Sequence, residues 1–145
     1  MATVRDMIRK KGSEIFMIAP DASVFDALKM MAKYNTGALL VMSGNSVVGI
    51  VSERDCVRKV ELAGKIAKDT TVSEIMTSKV INIDAAQPLE ECMALMLEKS
   101  IRHLPVYDGN ELLGLVSVRD VLKEVVDVQQ IMLSQLERYI TGGGR

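Results

Sequence analysis

Tryptophan is absent from this chain, histidine occurs once, cysteine twice, and aromatic residues make up only 3%. Each shortage removes a class of function. His103 stands alone, with no Cys–His or Ser–His–Asp set, so a base-activated nucleophile has little to be built from. Cys56 and Cys92 each fall inside a predicted amphipathic helix with no second Cys or His at ligand spacing. They read as small buried hydrophobes, not as metal ligands or a redox pair. No apolar run is long enough to span a bilayer, and Met1–Lys11 carries no secretory pattern, so a cytoplasmic protein is expected. The net charge is −1. Nucleic acid finds no basic field and a membrane surface no Lys/Arg-rich face, so neither is expected as a partner.

What is present is ordinary globular stock. The 145 residues are 48% hydrophobic and 26% charged, enough for one compact domain or two small, tightly packed halves. The ten methionines fall mostly on apolar helix faces, as at Met30, Met31, Met93 and Met96, where core packing explains them.

One stretch organises the rest. Gly49-Ile50-Val51-Ser52-Glu53-Arg54-Asp55 returns as Gly114-Leu115-Val116-Ser117-Val118-Arg119-Asp120, at a constant offset of 65. Each copy reads as the end of a buried strand entering the first turn of a helix. Aligning residues 17–60 with 82–125 at that offset needs no gap, and twelve of the 44 pairs are identical. Average composition would give about 6% by chance. Thr3-Val4-Arg5-Asp6 and Thr71-Val72-Ser73-Glu74 match at an offset of 68, so the first copy carries three extra residues around Lys11–Ser13. This is an internal duplication.

The element signals repeat with it. Thr3 opens a short helix that Gly12 and Ser13 break. Ile15–Ile18 reads as a strand before Pro20. Ser23 caps a helix with Val24, Ala27, Leu28, Met31 and Ala32 on one face, and Asn35-Thr36-Gly37 stops it, with Gly37 expected to take the left-handed conformation. Ala38–Met42 and Val47–Val51 make a hairpin across Ser43–Ser46, and a helix runs from Glu53 to about Ala63, stopped near Gly64. Lys65–Thr70 is a polar connector. The second copy gives a strand over Val80–Ile83, a helix opened by Pro88, strands over His103–Tyr107 and Leu112–Val116, and a last helix from near Val118. The expected fold class is α+β: two β-α-β-β-α repeats, residues 1–65 and 66–127, packed sheet to sheet with pseudo-twofold symmetry. Residues 128–145 extend the last helix and end in a frayed Gly142-Gly143-Gly144 tail. Val121, Leu122, Val125, Val128, Met132, Leu136 and Tyr139 keep an apolar stripe running past the repeat, to about Ile140. A symmetric partner chain is the favoured cover; the alternative is that the helix folds back on its own domain.

Two readings of the doubled Ser-x-Arg-Asp compete. As a helix cap, the Ser hydroxyl accepts a backbone N–H while the acidic group three residues on reaches back, which stabilises by about 0.5–2 kcal/mol and needs no ligand. As a binding site, the helix start offers free N–H groups and a positive dipole end, Arg54 and Arg119 suit phosphate, and Asp55 and Asp120 suit ribose hydroxyls.

Those motifs, with Ile101-Arg102-His103-Leu104-Pro105-Val106 before an Asp-Gly-Asn turn, resemble a tandem pair of CBS domains, the regulatory modules named after cystathionine β-synthase. The likeness covers about residues 3–127. It implies two clefts between the repeats and adenosine-containing ligands: AMP, ADP, ATP or NAD(H), with S-adenosylmethionine ranked behind these, and no required cofactor. Ser52 and Asp55 would serve one cleft, Ser117 and Asp120 the other, with Arg54 and Arg119 toward phosphate. The backbones of Thr36, Gly37, Ala38 and Leu39, and of Arg102, His103 and Leu104, would line the adenine. It also implies a small stand-alone, non-enzymatic sensor acting on a separate regulated protein. Two rivals are a ligand-free dimerisation module and a small enzyme. Thr36-Gly37-Ala38 faces Ile101-Arg102-His103 across the duplication, so the two sites are expected to differ in charge, unless Arg102 merely pairs with Glu98 at i,i+4 spacing.

Overall fold

A computed structural model describes residues 2–12 and 14–141. In chain order the elements are α1 (Val4–Lys11), β1 (Met17–Ile18), α2 (Val24–Tyr34), β2 (Ala38–Ser43), β3 (Ser46–Ser52), α3 (Glu53–Cys56), a π-helical turn (Val57–Glu61), a 3₁₀ turn (Ala67–Asp69), α4 (Val72–Ile75), β4 (Ile83–Asp84), α5 (Leu89–Lys99), β5 (His103–Asp108), β6 (Glu111–Ser117) and α6 (Val118–Thr141). The β-α-β-β-α order appears twice, as the duplication requires. Ser13 and the Gly142–Gly144 run lie outside the described residues.

The elements gather into two compact units. One is Glu14–Ile81. Its sheet has the order β1-β2-β3, with β1 parallel to β2 and β3 antiparallel to it. The core joins Leu39, Val41 and Val51 of the sheet to Val24, Ala27 and Met31 of α2, Cys56 and Val60 after β3, and Val72 and Ile75 of α4. The other unit takes the residues from Asn82 onward together with those before residue 14. Its sheet, β4-β5-β6, repeats the same pairing, and its core joins Leu104, Val106 and Val116 to Cys92 and Met96 of α5, Val121 of α6, and Val4, Met7 and Ile8 of α1.

The repeats of 1–65 and 66–127 are therefore units of sequence, while the compact bodies exchange their leading segments. Thr71 bridges Ser23, and Val72 N–H donates to the Ala22 carbonyl at 2.8 Å. At the equivalent places Thr3 bridges Pro88, and Val4 N–H donates to the Gln87 carbonyl at 2.9 Å. The cause is burial: each three-stranded sheet presents more apolar face than its own two helices cover, and the amphipathic leading helix supplies the rest. Gly49 accommodates this in the first unit. A Cβ there would lie 2.6 Å from Met76 Sδ and 3.0 Å from the Thr77 carbonyl oxygen.

Local chemistry explains most boundaries. The helix stop before β2 is Asn35, at φ 50°, and its equivalent before β5 is Ser100, at φ 53°. The left-handed residue is thus not Gly37. Asn tolerates αL because its short side chain bonds locally. Both hairpins turn through left-handed glycines, Gly44 and Gly109. Both also carry a register shift, at Val41/Met42 and at Val106/Tyr107, as the 65-residue offset demands. The strands expected over Ile15–Ile18 and Val80–Ile83 shrink to two residues each, Met17–Ile18 and Ile83–Asp84. The helix expected over Glu53–Ala63 is α-helical only to Cys56 and then widens into a π turn. Cys56 and Cys92 are buried and unpaired, and burial pushes both thiols up to about 11.

Helix α6 does not fold back along its extension. Val121 and Glu124 are buried, but Ile131, Met132, Leu133, Leu136, Tyr139 and Ile140 are all exposed.

Candidate functional site

Each β-hairpin closes so that its two candidate segments meet at one end of the sheet. In the Glu14–Ile81 unit Ala38 lies opposite Ser52 and Leu39 opposite Val51. Glu53 N–H, at the start of α3, donates to the Gly37 carbonyl at 3.0 Å, and Thr36 Oγ1 donates to the Ala38 carbonyl at 3.1 Å. In the other unit His103 lies opposite Ser117 and Leu104 opposite Val116, and Val118 N–H donates to the Arg102 carbonyl at 2.9 Å. The structure thus brings Thr36, Gly37, Ala38 and Leu39 beside Ser52 and Asp55, and Arg102, His103 and Leu104 beside Ser117 and Asp120. The side chains of Ala38, Leu39 and Leu104 are buried, leaving those positions only backbone to offer.

Both serine–aspartate pairs are formed helix caps. Asp55 N–H donates to Ser52 Oγ at 3.1 Å, while Asp55 Oδ2 accepts the Ser52 N–H and hydroxyl at 3.0 Å each. Asp120 N–H donates to Ser117 Oγ at 3.1 Å, and Asp120 Oδ2 accepts Ser117 N–H at 2.8 Å. Thr3 with Asp6 and Thr71 with Glu74 close the same reciprocal box. Their hydrogen bonds hold the Asp6 and Glu74 carboxyls below the usual range. The capping role is therefore common to four helix starts. What sets Asp55 and Asp120 apart is their position at a hairpin end and the lysine each one meets.

Sequence reasoning missed those lysines. Lys59, one turn after Asp55, forms an ion pair with Asp55, its Nζ 3.1 Å from Oδ1, and donates a hydrogen bond to the Ile75 carbonyl at 3.0 Å. Lys11, at the end of α1, donates to Asp120 Oδ2 and to the Leu115 carbonyl, both at 2.7 Å. Beside it Lys10 reaches Glu124, a nearly buried carboxylate, at 2.6 Å, and that bond raises Lys10 above its ordinary 10.5. Burial works to raise the Asp120 carboxyl, yet the bonds from Lys11 and Ser117 outweigh it and leave the group below its ordinary 3.8. The i,i+4 spacing of Asp55 and Lys59 was a legible signal. Nothing local in the sequence joins Lys11 to Asp120.

Arg54, Arg119 and Arg102 are exposed. Among the described residues none of the three forms an ion pair, so Arg102 is not tied to Glu98. Also among the described residues, no helix is long and apolar enough to cross a membrane.

Comparison with known proteins agrees with this architecture. The CBS domain family model matches twice, over residues 4–62 and 72–127. The chain is 35% identical to the CBS domain-containing protein CBSX3, mitochondrial, of Arabidopsis thaliana, over 97% of this chain and 73% of that one. A solved structure of a protein with CBS domains from Burkholderia ambifaria MC40-6 superimposes with a TM-score of 0.84. It is 44% identical and covers 87% of this chain and 95% of its own. A hexameric CBS-CP12 protein from bloom-forming cyanobacteria superimposes at 0.76, with 30% identity over 84% of this chain and 70% of that one. The chain belongs to the CBS-domain family and is a tandem CBS pair, a regulatory module.

Proposed function

We propose that this CBS pair is a non-enzymatic sensor of adenine nucleotides, AMP, ADP, ATP or NAD(H), that passes their binding to a separate regulated protein. The observation that carries the reading is the doubled hairpin end. In both units an aspartate fixed by its own serine stands beside a strand-start backbone, with an exposed arginine next to it in sequence. Such a carboxylate can accept ribose hydroxyls, the arginine can reach phosphate, and the strand-start carbonyls and N–H groups can read an adenine edge. Charge supports the reading as well, since each aspartate has a lysine to offset it and neither site repels an anionic ligand outright. Membership of a family of regulatory modules supports the sensor role, and a cytoplasmic location belongs to the same proposal.

Self-association is a second part of it. The exposed stripe from Ile131 to Ile140 on α6 is an apolar face that one copy leaves uncovered, and a hexameric relative supports pairing of copies. A homodimer joined along α6 is the simplest such assembly.

One observation favours the rival reading, a ligand-free module. The Asp55 carboxylate already caps its helix through Ser52 and is ion-paired with Lys59, so a cap needs nothing more. Thermal unfolding with and without millimolar AMP separates the two. A ligand at a hundred times its dissociation constant adds about 2.7 kcal/mol of stability, and the sensor reading expects a melting temperature raised accordingly. An unchanged transition with AMP, ATP and NAD supports the ligand-free module.

A further inference from the structure

The two aspartates are equivalent in sequence but not in how their oxygens are spent. Among the described residues, Asp120 Oδ2 accepts Ser117 N–H at 2.8 Å and Lys11 Nζ at 2.7 Å. Among the described residues nothing bonds its Oδ1. At Asp55 the serine bonds fall on Oδ2, and the Lys59 ammonium stands against Oδ1 as an ion pair, 3.1 Å away, while its hydrogen bond goes to the Ile75 carbonyl. The Asp55 side chain is also the more covered, 14% exposed against 25% for Asp120.

The lysines differ in origin too. Lys59 belongs to the helix that Asp55 starts, and it is also bonded to the Ile75 carbonyl at the end of α4. Its equivalent 65 residues on is Glu124, which is buried and drawn to Lys10. The second repeat therefore has no lysine of its own at that place, and α1 supplies two. Lys11 approaches from the Leu115 side, on the oxygen already used for capping. It steadies the carboxylate and leaves the other oxygen open.

A carboxylate oxygen has two lone pairs, so what hinders a ribose diol is a cation standing where its hydroxyls would approach. Resting on the reading above that these carboxylates take ribose hydroxyls, we propose that the two lysines act in opposite senses. Lys11 is a positioning residue that holds Asp120 ready to accept a ribose. Lys59 is a gate that must leave Asp55 Oδ1 before a ribose can bind there. The Asp120 position fills first and the Asp55 position second. Moving Lys59 costs a half-exposed ion pair and one bond to a carbonyl, a modest barrier that corresponds to roughly a tenfold separation in affinity. Filling the second position also releases the Ile75 carbonyl, so the later event loosens the α3–α4 link while the earlier one leaves its unit intact.

The test uses adenosine, whose neutrality removes the direct effect of a lost lysine charge on a phosphate. Calorimetric titration of the wild-type chain is expected to give one tighter site, lost in Asp120→Asn and kept in Asp55→Asn. Lys59→Met is expected to strengthen the weaker site about tenfold, so that two similar sites appear. Lys59→Arg, which keeps the cation, is expected to leave the wild-type pattern. Lys11→Met is expected to weaken the tighter site about tenfold, and Lys11→Arg to restore most of it, a rescue that mere loss of α1 packing would not show. Two sites of equal affinity in the wild type, or a weaker site unmoved by Lys59→Met, overturns the ordering. Absence of adenosine binding in the wild type and every variant overturns the ribose reading itself, and the ordering with it.

Discussion

The two units are built from one repeated sequence, yet they solve the same electrostatic problem in different ways. In Glu14–Ile81 the hairpin-end aspartate finds its cation within its own helix, Lys59 at i,i+4. In the β4-β5-β6 unit the equivalent position is a glutamate, and both acids are answered from α1, by Lys10 and Lys11. The helices diverge accordingly. After β3 the chain makes one α turn and a π turn and stops at Glu61, whereas after β6 it runs regularly from Val118 to Thr141. The leading helices diverge the other way: α1 has eight residues and α4 four. A short leading helix goes with a self-contained aspartate, and a long one carries lysines across to its neighbour. A duplicated motif thus keeps its local cap while its long-range partners are free to change.

The sharpest way to break the equivalence of the units is at their shared glycine. Gly49→Ala puts a Cβ against Met76 and the Thr77 backbone oxygen, where the backbone cannot yield cheaply. It is expected to cost about 1–3 kcal/mol in denaturant unfolding. Gly114→Ala meets only the Ile8 Cδ1 atom at 3.2 Å, a side-chain end that can turn aside. It is expected to cost under about 1 kcal/mol. Equal losses would mean that α1 and α4 press on their sheets alike.

A smaller effect on folding, with a large one on assembly, is expected beyond the repeat. Met132→Asp on the exposed face of α6 should change unfolding by no more than about 0.5 kcal/mol, as surface substitutions do. It should nevertheless lower the mass seen by light scattering at micromolar concentration. A wild-type chain that scatters as a monomer under those conditions removes the proposed homodimer.

Much of this was open to reading in advance, because the duplication acts as its own alignment. The 65-residue offset carries over to the left-handed stops at Asn35 and Ser100, the hairpin glycines at Gly44 and Gly109, and the register shifts after Val41 and Val106. The Ser-x-x-Asp spacing announced the caps that Ser52 and Ser117 make. What escaped was whatever depends on distant chain. The first strands shrink to two residues because only Met17–Ile18 and Ile83–Asp84 find partners on β2 and β5. The exchange of α1 and α4 between the sheets leaves no local mark. The burial of Glu124 likewise follows from α1 lying over it with Lys10 in reach. Gly37 drew attention as the residue most tolerant of positive φ, while Asn35, two residues earlier in the stop, took that role.

The central claim is that Asp55 and Asp120 bind a ribose and do not serve only as caps. Asparagine caps a helix about as well as aspartate but carries no charge and accepts through one oxygen instead of two. The direct measurement is a calorimetric titration of AMP into the wild type and into the Asp55→Asn/Asp120→Asn double variant, after thermal unfolding has shown the variant folded. The predicted result is AMP binding by the wild type and its loss in a double variant that still unfolds cooperatively. AMP binding of unchanged affinity and stoichiometry in the double variant would contradict the account.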